Sequence, residues 1–222
     1  MLESLTRIAY AAIVPSSEPI RPLHDVWLRP RRVFRELAEQ PVGAMDYVLA
    51  AGQGVAGFLF WSRAQNAGAT VGVVEIFGRA LLLGGIGGIA GLFFMGSIYS
   101  RLGSRAGAAA TRSQVFHVLA YSGVPLCASL IVWLLTALLA GEATFEQAPK
   151  TDVEGFLALL LMLQFSSYVL FALWSIVIQV MGFSEMQGVT TRRAFGLWVL
   201  GQVIGSLALL FLVILIATLF PT

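Results

Sequence analysis

The sequence predicts an all-α membrane protein, a bundle of five transmembrane helices preceded by a short N-terminal interfacial amphipathic helix. Two observations predict it. The first is composition. Of 222 residues, 58% are hydrophobic and only 12% charged, against roughly 25% charged in a soluble domain. Mean hydropathy is +0.83. Too few polar groups exist to cover a water-facing surface, which excludes a soluble enzyme domain. Disorder is excluded as well, because it needs low hydrophobicity and high charge. The second observation is distribution. Five uncharged stretches occupy 47–62, 80–100, 113–141, 155–184 and 194–220. Lipid offers no partner to backbone N–H and C=O groups, so a spanning segment is a helix or part of a closed barrel. These runs are too long and too evenly apolar for barrel strands.

Residues 1–43 form a cytosolic segment punctuated by Pro15, Pro19, Pro22, Pro30 and Pro41. It reads as two short amphipathic helices. Leu2, Leu5, Ile8, Ala9, Ala12 and Ile13 share one face at helical spacing. Pro30 suits the first position of the second helix. There Val33, Phe34, Leu37 and Ala38 face one way, and Arg31, Arg32, Arg35, Glu36 and Glu39 the other. Such a helix lies in the membrane interface with its arginines near anionic headgroups, or packs on the cytosolic ends of the bundle. Trp27 fits the aromatic belt. Glu3 and Arg7 interrupt the first residues, so no signal peptide is expected and the N-terminus should be retained.

Residues 44–220 form the transmembrane domain, with spans at about 44–62, 71–98, 115–140, 156–181 and 194–219. A span needs about 20 apolar residues. The first stretch is short. It reaches that length if Ala44, Met45 and Asp46 make a first turn at the interface and Arg63 snorkels at the far end; a re-entrant hairpin is the alternative. The second span carries Glu75 and Arg79 four residues apart, an intramembrane ion pair on one helix face near its outer end. Glycines four apart, Gly84 with Gly88, Gly87 with Gly91, and Gly201 with Gly205, predict close helix packing. The second span should therefore be the centre of the bundle. Pro125 should kink the third span. Gly182 should end the fourth, and Thr190 should cap the fifth.

Arginine distribution orients the chain. Arg7, Arg21, Arg29, Arg31, Arg32, Arg35, Arg101, Arg105, Arg112, Arg192 and Arg193 fall on one side. Arg63 and Lys150 fall on the other, with the acids Glu142, Glu146, Asp152 and Glu154. The N-terminus is expected in the cytoplasm and the C-terminus outside. Thirteen of the fourteen basic residues are arginine, a coding bias typical of GC-rich bacteria.

Templates for chemistry find little to fit. Gly52-Gln53-Gly54-Val55-Ala56-Gly57 matches the dinucleotide fingerprint by letter, and Gly85, Gly87 and Ala90 match a looser form. Both lie inside spans, with no preceding strand and no aqueous helix N-terminus, so close packing is the better account. The two histidines, His24 and His117, stand in no metal-ligand spacing, and Cys127 sits alone in an apolar run. No catalytic, cofactor-binding or metal-ligating set is expected, and net charge +2 with no basic patch gives no nucleic-acid partner. Gln53, Gln164, Gln179 and Gln202 recur at membrane depth. They serve interhelical hydrogen bonds or line a polar route. The turn from Gly182 to Ala194 is charge-balanced. Glu185, Gly188 and Arg193, with His117 and Tyr121 on the same side, form a candidate cytosolic contact surface.

Four features together resemble the Yip1 domain family, in its bacterial inner-membrane branch. These are Trp27-x-x-Pro30-x-x-x-Phe34-x-x-Leu37, the run Gln114 to Pro125, Trp174 followed by the Gly182–Ala194 turn, and the five-span layout. The resemblance covers about 22–220. It implies a five-span protein with a cytosolic N-terminus. Eukaryotic relatives are linked to Rab GTPases, vesicle traffic and membrane shape, and carry an Asp-Leu-Tyr-Gly-Pro motif. This chain has Arg21-Pro22-Leu23-His24-Asp25 there, so GTPase partnering is not carried over. The expected function is non-enzymatic: contacts with membrane lipids, another membrane protein or itself, as an accessory, assembly or membrane-organising factor. The alternative is a small permease or lipid-handling protein with a polar cavity lined by the glutamines, Ser166, Ser167 and Tyr168.

Overall fold

The computed structural model describes residues 20–105, 107, 110–146 and 155–219. The helix expected near residues 2–13 and the residues Lys150, Asp152 and Glu154 lie outside that set. The described residues are helical and include no strand. After a single turn at Pro22–Asp25 come α1 (Pro30–Leu37), α2 (Ala44–Ala64), α3 (Val73–Arg105), α4 (Arg112–Tyr121), α5 (Val124–Ala140), α6 (Gly155–Gln187) and α7 (Thr191–Leu219). Short 3-10 turns at Ala67–Ala69 and Gly141–Phe145 meet at one end of the bundle.

Four stretches are long and apolar enough to cross a membrane: Val73–Arg105, Arg112–Phe145, Gly155–Gln187 and Thr191–Leu215. α2 is a fifth helix of 21 residues, about 31 Å at 1.5 Å per residue. Asp46, Gln53 and Arg63 make it less apolar. It tolerates them because its neighbours are protein: α2 lies against α3, α4 and α5. The centre of the bundle is therefore α2 and not the second span.

The α2–α3 crossing is backbone against backbone. A Cβ built on Gly54 would overlap the Gly84 carbonyl and stand 2.6 Å from Gly88 Cα. One on Gly88 would overlap the Ala50 carbonyl, and one on Gly84 would stand 2.8 Å from the Gly54 carbonyl. A π-helical turn at Ala80–Gly84 leads into this contact. The other glycine expectations divide. Gly87 and Gly91 face open space, with nothing within 4 Å. Gly201 and Gly205 receive side chains, Tyr99 and Met95, in place of a second backbone.

The third membrane stretch is broken rather than kinked. α4 ends at Tyr121, Ser122 and Gly123 turn, and Pro125 is the second residue of α5, where its missing N–H costs nothing. Gln53 of α2 answers the break. Its amide Nε2 donates to the carbonyls of Leu119 at 3.2 Å and Ala120 at 2.9 Å, sitting in a space that only Gly123 leaves open. A carbonyl freed inside lipid must find such a partner.

Gly182 does not end the fourth span. α6 runs on to Gln187, and Gly188, at φ +62°, makes the turn. Gly182 instead seats the Phe34 ring of α1, 2.6 Å from where its Cβ would be. Pro30, Val33, Phe34 and Leu37 are all buried, so the apolar face of α1 is turned onto the bundle. Of the two placements open to that helix, packing on protein is the one realised. Trp27 also has a protein partner, meeting Phe171 edge-on at 5.8 Å. Thr190 caps α7 as expected, its hydroxyl accepting from Arg193 N at 3.4 Å.

Gly88→Ala should destabilise the protein by about 1–3 kcal/mol, the cost of overpacking a tight contact. Gly87→Ala, placed in open space, should leave stability unchanged or slightly raised. Thermal melting in detergent checks both, and equal losses at the two positions would contradict the assigned crossing.

Candidate functional site

Two places gather polar side chains: the arginine-rich end and a chamber inside the bundle. At the arginine-rich end the contact surface drawn from the sequence is partly internal. His117 is 1% exposed and Tyr121 7%. They face inward because residues 38–43 are strapped across α4. Gln114 Nε2 donates to Ala38 O at 3.2 Å, and Ser113 Oγ to Gln40 O at 3.5 Å. His117 and Tyr121 are therefore withdrawn from any outer surface. Glu185 is engaged as well, by Arg35 of α1 at 2.8 Å, while Arg31 donates to Thr191 Oγ1 at 2.8 Å. Gly188 and Arg193 remain on the exposed rim.

His117 belongs to a buried pair that sequence reasoning missed. Its Nε2 lies 3.0 Å from the Gln40 carbonyl, and its Nδ1 lies 2.7 Å from Asp46 Oδ1. The carbonyl can only accept, so Nε2 carries a proton. Nδ1 then faces the carboxylate as the second hydrogen-bonding nitrogen of the ring. Asp46 Oδ2 accepts from Gly43 N at 2.9 Å, so the carboxyl is held from both sides. The pair ties the first turn of α2 to α4 across 71 positions of sequence. Two lone polar residues in apolar runs, at 46 and 117, were the available signal.

At the opposite end, Glu75 and Arg79 form the expected ion pair, with both side chains about half exposed. Arg63 does not snorkel freely. It donates to Gln164 Oε1 and lies over the Phe165 ring at 6.0 Å.

The chamber has a volume of about 440 Å³ and lies between α2, α3, α6 and α7. Its polar lining includes Gln53, Tyr168, Ser175, Gln179 and Gln202. Three of the four membrane glutamines are spent on protein contacts: Gln53 at the helix break, Gln164 on Arg63, and Gln179, which accepts from Trp198 Nε1 at 3.0 Å. Gln202 makes no side-chain hydrogen bond among the described residues. Ser167 instead bonds the Gln164 carbonyl and Ser166 faces outward, so the serines of the chamber are Ser122 and Ser175. The side chains lining the chamber are neutral.

A family model described as the Yip1 domain matches residues 25–220. No curated protein and no solved structure matches the chain.

Removing one partner of the buried pair, by Asp46→Leu or His117→Leu, should cost about 3–5 kcal/mol, since the other is left without compensation. The double substitution should recover part of that loss. Arg35 is 73% exposed, so Arg35→Ala should cost no more than about 1 kcal/mol. Melting temperatures of the four variants give the comparison, and additive single losses would deny the coupling.

Proposed function

The chain belongs to the Yip1 domain family, and from that premise we propose a non-enzymatic five-span protein of the bacterial cytoplasmic membrane. It works by contacts, with lipid or with another membrane protein, as an accessory, assembly or membrane-organising factor. The cytosolic segment is 1–43, and the transmembrane domain is 44–220. One observation carries this reading: α6 and α7 expose long apolar faces, among them Leu163, Leu170, Leu207 and Phe211, while arginines of α1 and α7 gather at a single end. Such faces are stable only against hydrocarbon or another apolar helix. Arginines at one end suit a cytoplasmic leaflet rich in anionic lipid.

α2 as a fifth span is supported by its reach. Asp46 at its start bonds His117 near the arginine-rich end, and just beyond its far end Gly68 lies against the Glu142 carbonyl. Native-membrane purification in mild detergent, with mass spectrometry of what remains bound, tests the accessory role; a stoichiometric protein partner is expected. A second reading, lipid handling, is favoured by the chamber, whose largely apolar lining carries the neutral polar groups of Ser175 and Gln202. It becomes the function if lipid alone is retained.

Topology is tested with single cysteines in a Cys127→Ser background. Arg29→Cys should be labelled by a membrane-impermeant maleimide only after permeabilisation, and Thr70→Cys in intact cells stripped of outer membrane. Labelling from the same side would mean that α2 does not cross.

A further inference from the structure

The chamber does not stand alone. A groove of about 540 Å³ runs between α3 and α7 on the side facing the bilayer, with Phe94, Leu209 and Leu212 in its walls. Groove and chamber share Gly91, Met95 and Gln202. Gly91 is the thin point of that shared wall, since no atom lies within 4 Å of where its Cβ would be. The volume of each space falls within the range of small-molecule sites. The groove is almost wholly apolar, and the chamber adds a minority of neutral polar groups.

A further observation points to a ligand. Ser175 is 7% exposed. The residue is part of the chamber wall, and its Oγ is buried with no hydrogen-bond partner among the described residues. A hydroxyl buried without a partner costs free energy, and native proteins rarely leave one so. Gln202, at the junction of the two spaces, offers an uncommitted amide with both donors and an acceptor. Counting from Thr191, Gln202 lies about 17 Å along α7 at 1.5 Å per residue, near the middle of a core about 30 Å thick.

Charge decides the class of ligand. Neither space has an arginine, lysine, histidine or carboxylate in its lining. A phosphate there would be desolvated with no counter-charge. Hydroxyl and carbonyl oxygens would instead meet donors and acceptors of matching, neutral kind.

We infer that chamber and groove form one binding site for a neutral lipid of the diacylglycerol type, entering from the bilayer between α3 and α7. Its hydroxyl and ester oxygens reach Ser175 and Gln202, and an acyl chain lies in the groove past Gly91. This rests on the lipid-handling reading above and specifies its ligand and route.

The test uses the full chain in nanodiscs with two photoactivatable probes of identical acyl chain, diacylglycerol and phosphatidylglycerol, with cross-linked peptides mapped by mass spectrometry. The diacylglycerol probe should label the α3 and α7 peptides bearing Phe94 and Leu209, and unlabelled diacylglycerol should compete. Gly91→Leu places a side chain in open space at the shared wall. It should cut labelling about tenfold, a loss of about 1.4 kcal/mol in affinity, without lowering the melting temperature. Ser175→Ala should weaken labelling several-fold while raising the melting temperature of the lipid-free protein, because it removes the partnerless hydroxyl. Equal saturable labelling by phosphatidylglycerol, or labelling unaffected by Gly91→Leu, would overturn the inference and leave lipid handling standing. Saturable labelling by neither probe would remove both.

Discussion

The contact on which the rest of the bundle depends is the crossing of α2 over α3 at Gly54, Gly84 and Gly88. Lipid gives helices no hydrophobic reason to associate, so close approach of backbones and the dispersion it brings must supply one. Each of these glycines stands where a Cβ would strike the opposite main chain. That approach brings α2, the least apolar of the long helices, into a sheath of α3, α4 and α5, where its polar residues have protein partners. The contact also has a geometric consequence. α3 is drawn towards α2 through one face, and its neighbouring face, at Gly87 and Gly91, is left without a partner. The groove beside α7 and the chamber behind it occupy that side.

Polar groups inside this protein fall into two kinds. Most complete a defect that the fold creates. Gln53 satisfies carbonyls at the break before Pro125, Gln164 holds Arg63, and Asp46 with His117 fixes the strap over α4. Each is costly alone and tolerable only as part of a bonded set. A few are left over: Ser175 Oγ has no partner among the described residues, as is also true of Trp133 Nε1 and Thr144 Oγ1, but of these residues only Ser175 lines the chamber, as does Gln202.

Much of the architecture was legible in the sequence because lipid imposes so strict a rule. Length and apolarity placed the last four membrane stretches, and Pro30 and Thr190 marked helix starts through local chemistry. What was not legible depended on which face of a helix meets what. Spacing by four put Gly84 with Gly88 and Gly87 with Gly91 on two stripes, but only one stripe meets a backbone. Periodicity put His117 and Tyr121 on one side of α4 without revealing that residues 38–43 cover that side. Gly182 read as a helix stop because glycine often is one; here it is the seat for Phe34, from a segment 148 residues earlier. The lowest hydropathy marked α2 as marginal, when its polar residues are those that meet protein partners in α3, α4 and α5.

The central claim is that the glycine crossing holds α2 and α3 together while the α3–α7 side stays open as a lipid-accessible site. An electron cryomicroscopy structure in nanodiscs containing diacylglycerol tests it most directly. The account predicts Gly54 and Gly88 in backbone contact, with elongated density running from the α3–α7 groove past Gly91 to Ser175 and Gln202. A bundle in which α7 closes directly onto Gly87 and Gly91, with Ser175 bonded to protein and the chamber filled by side chains, would contradict it.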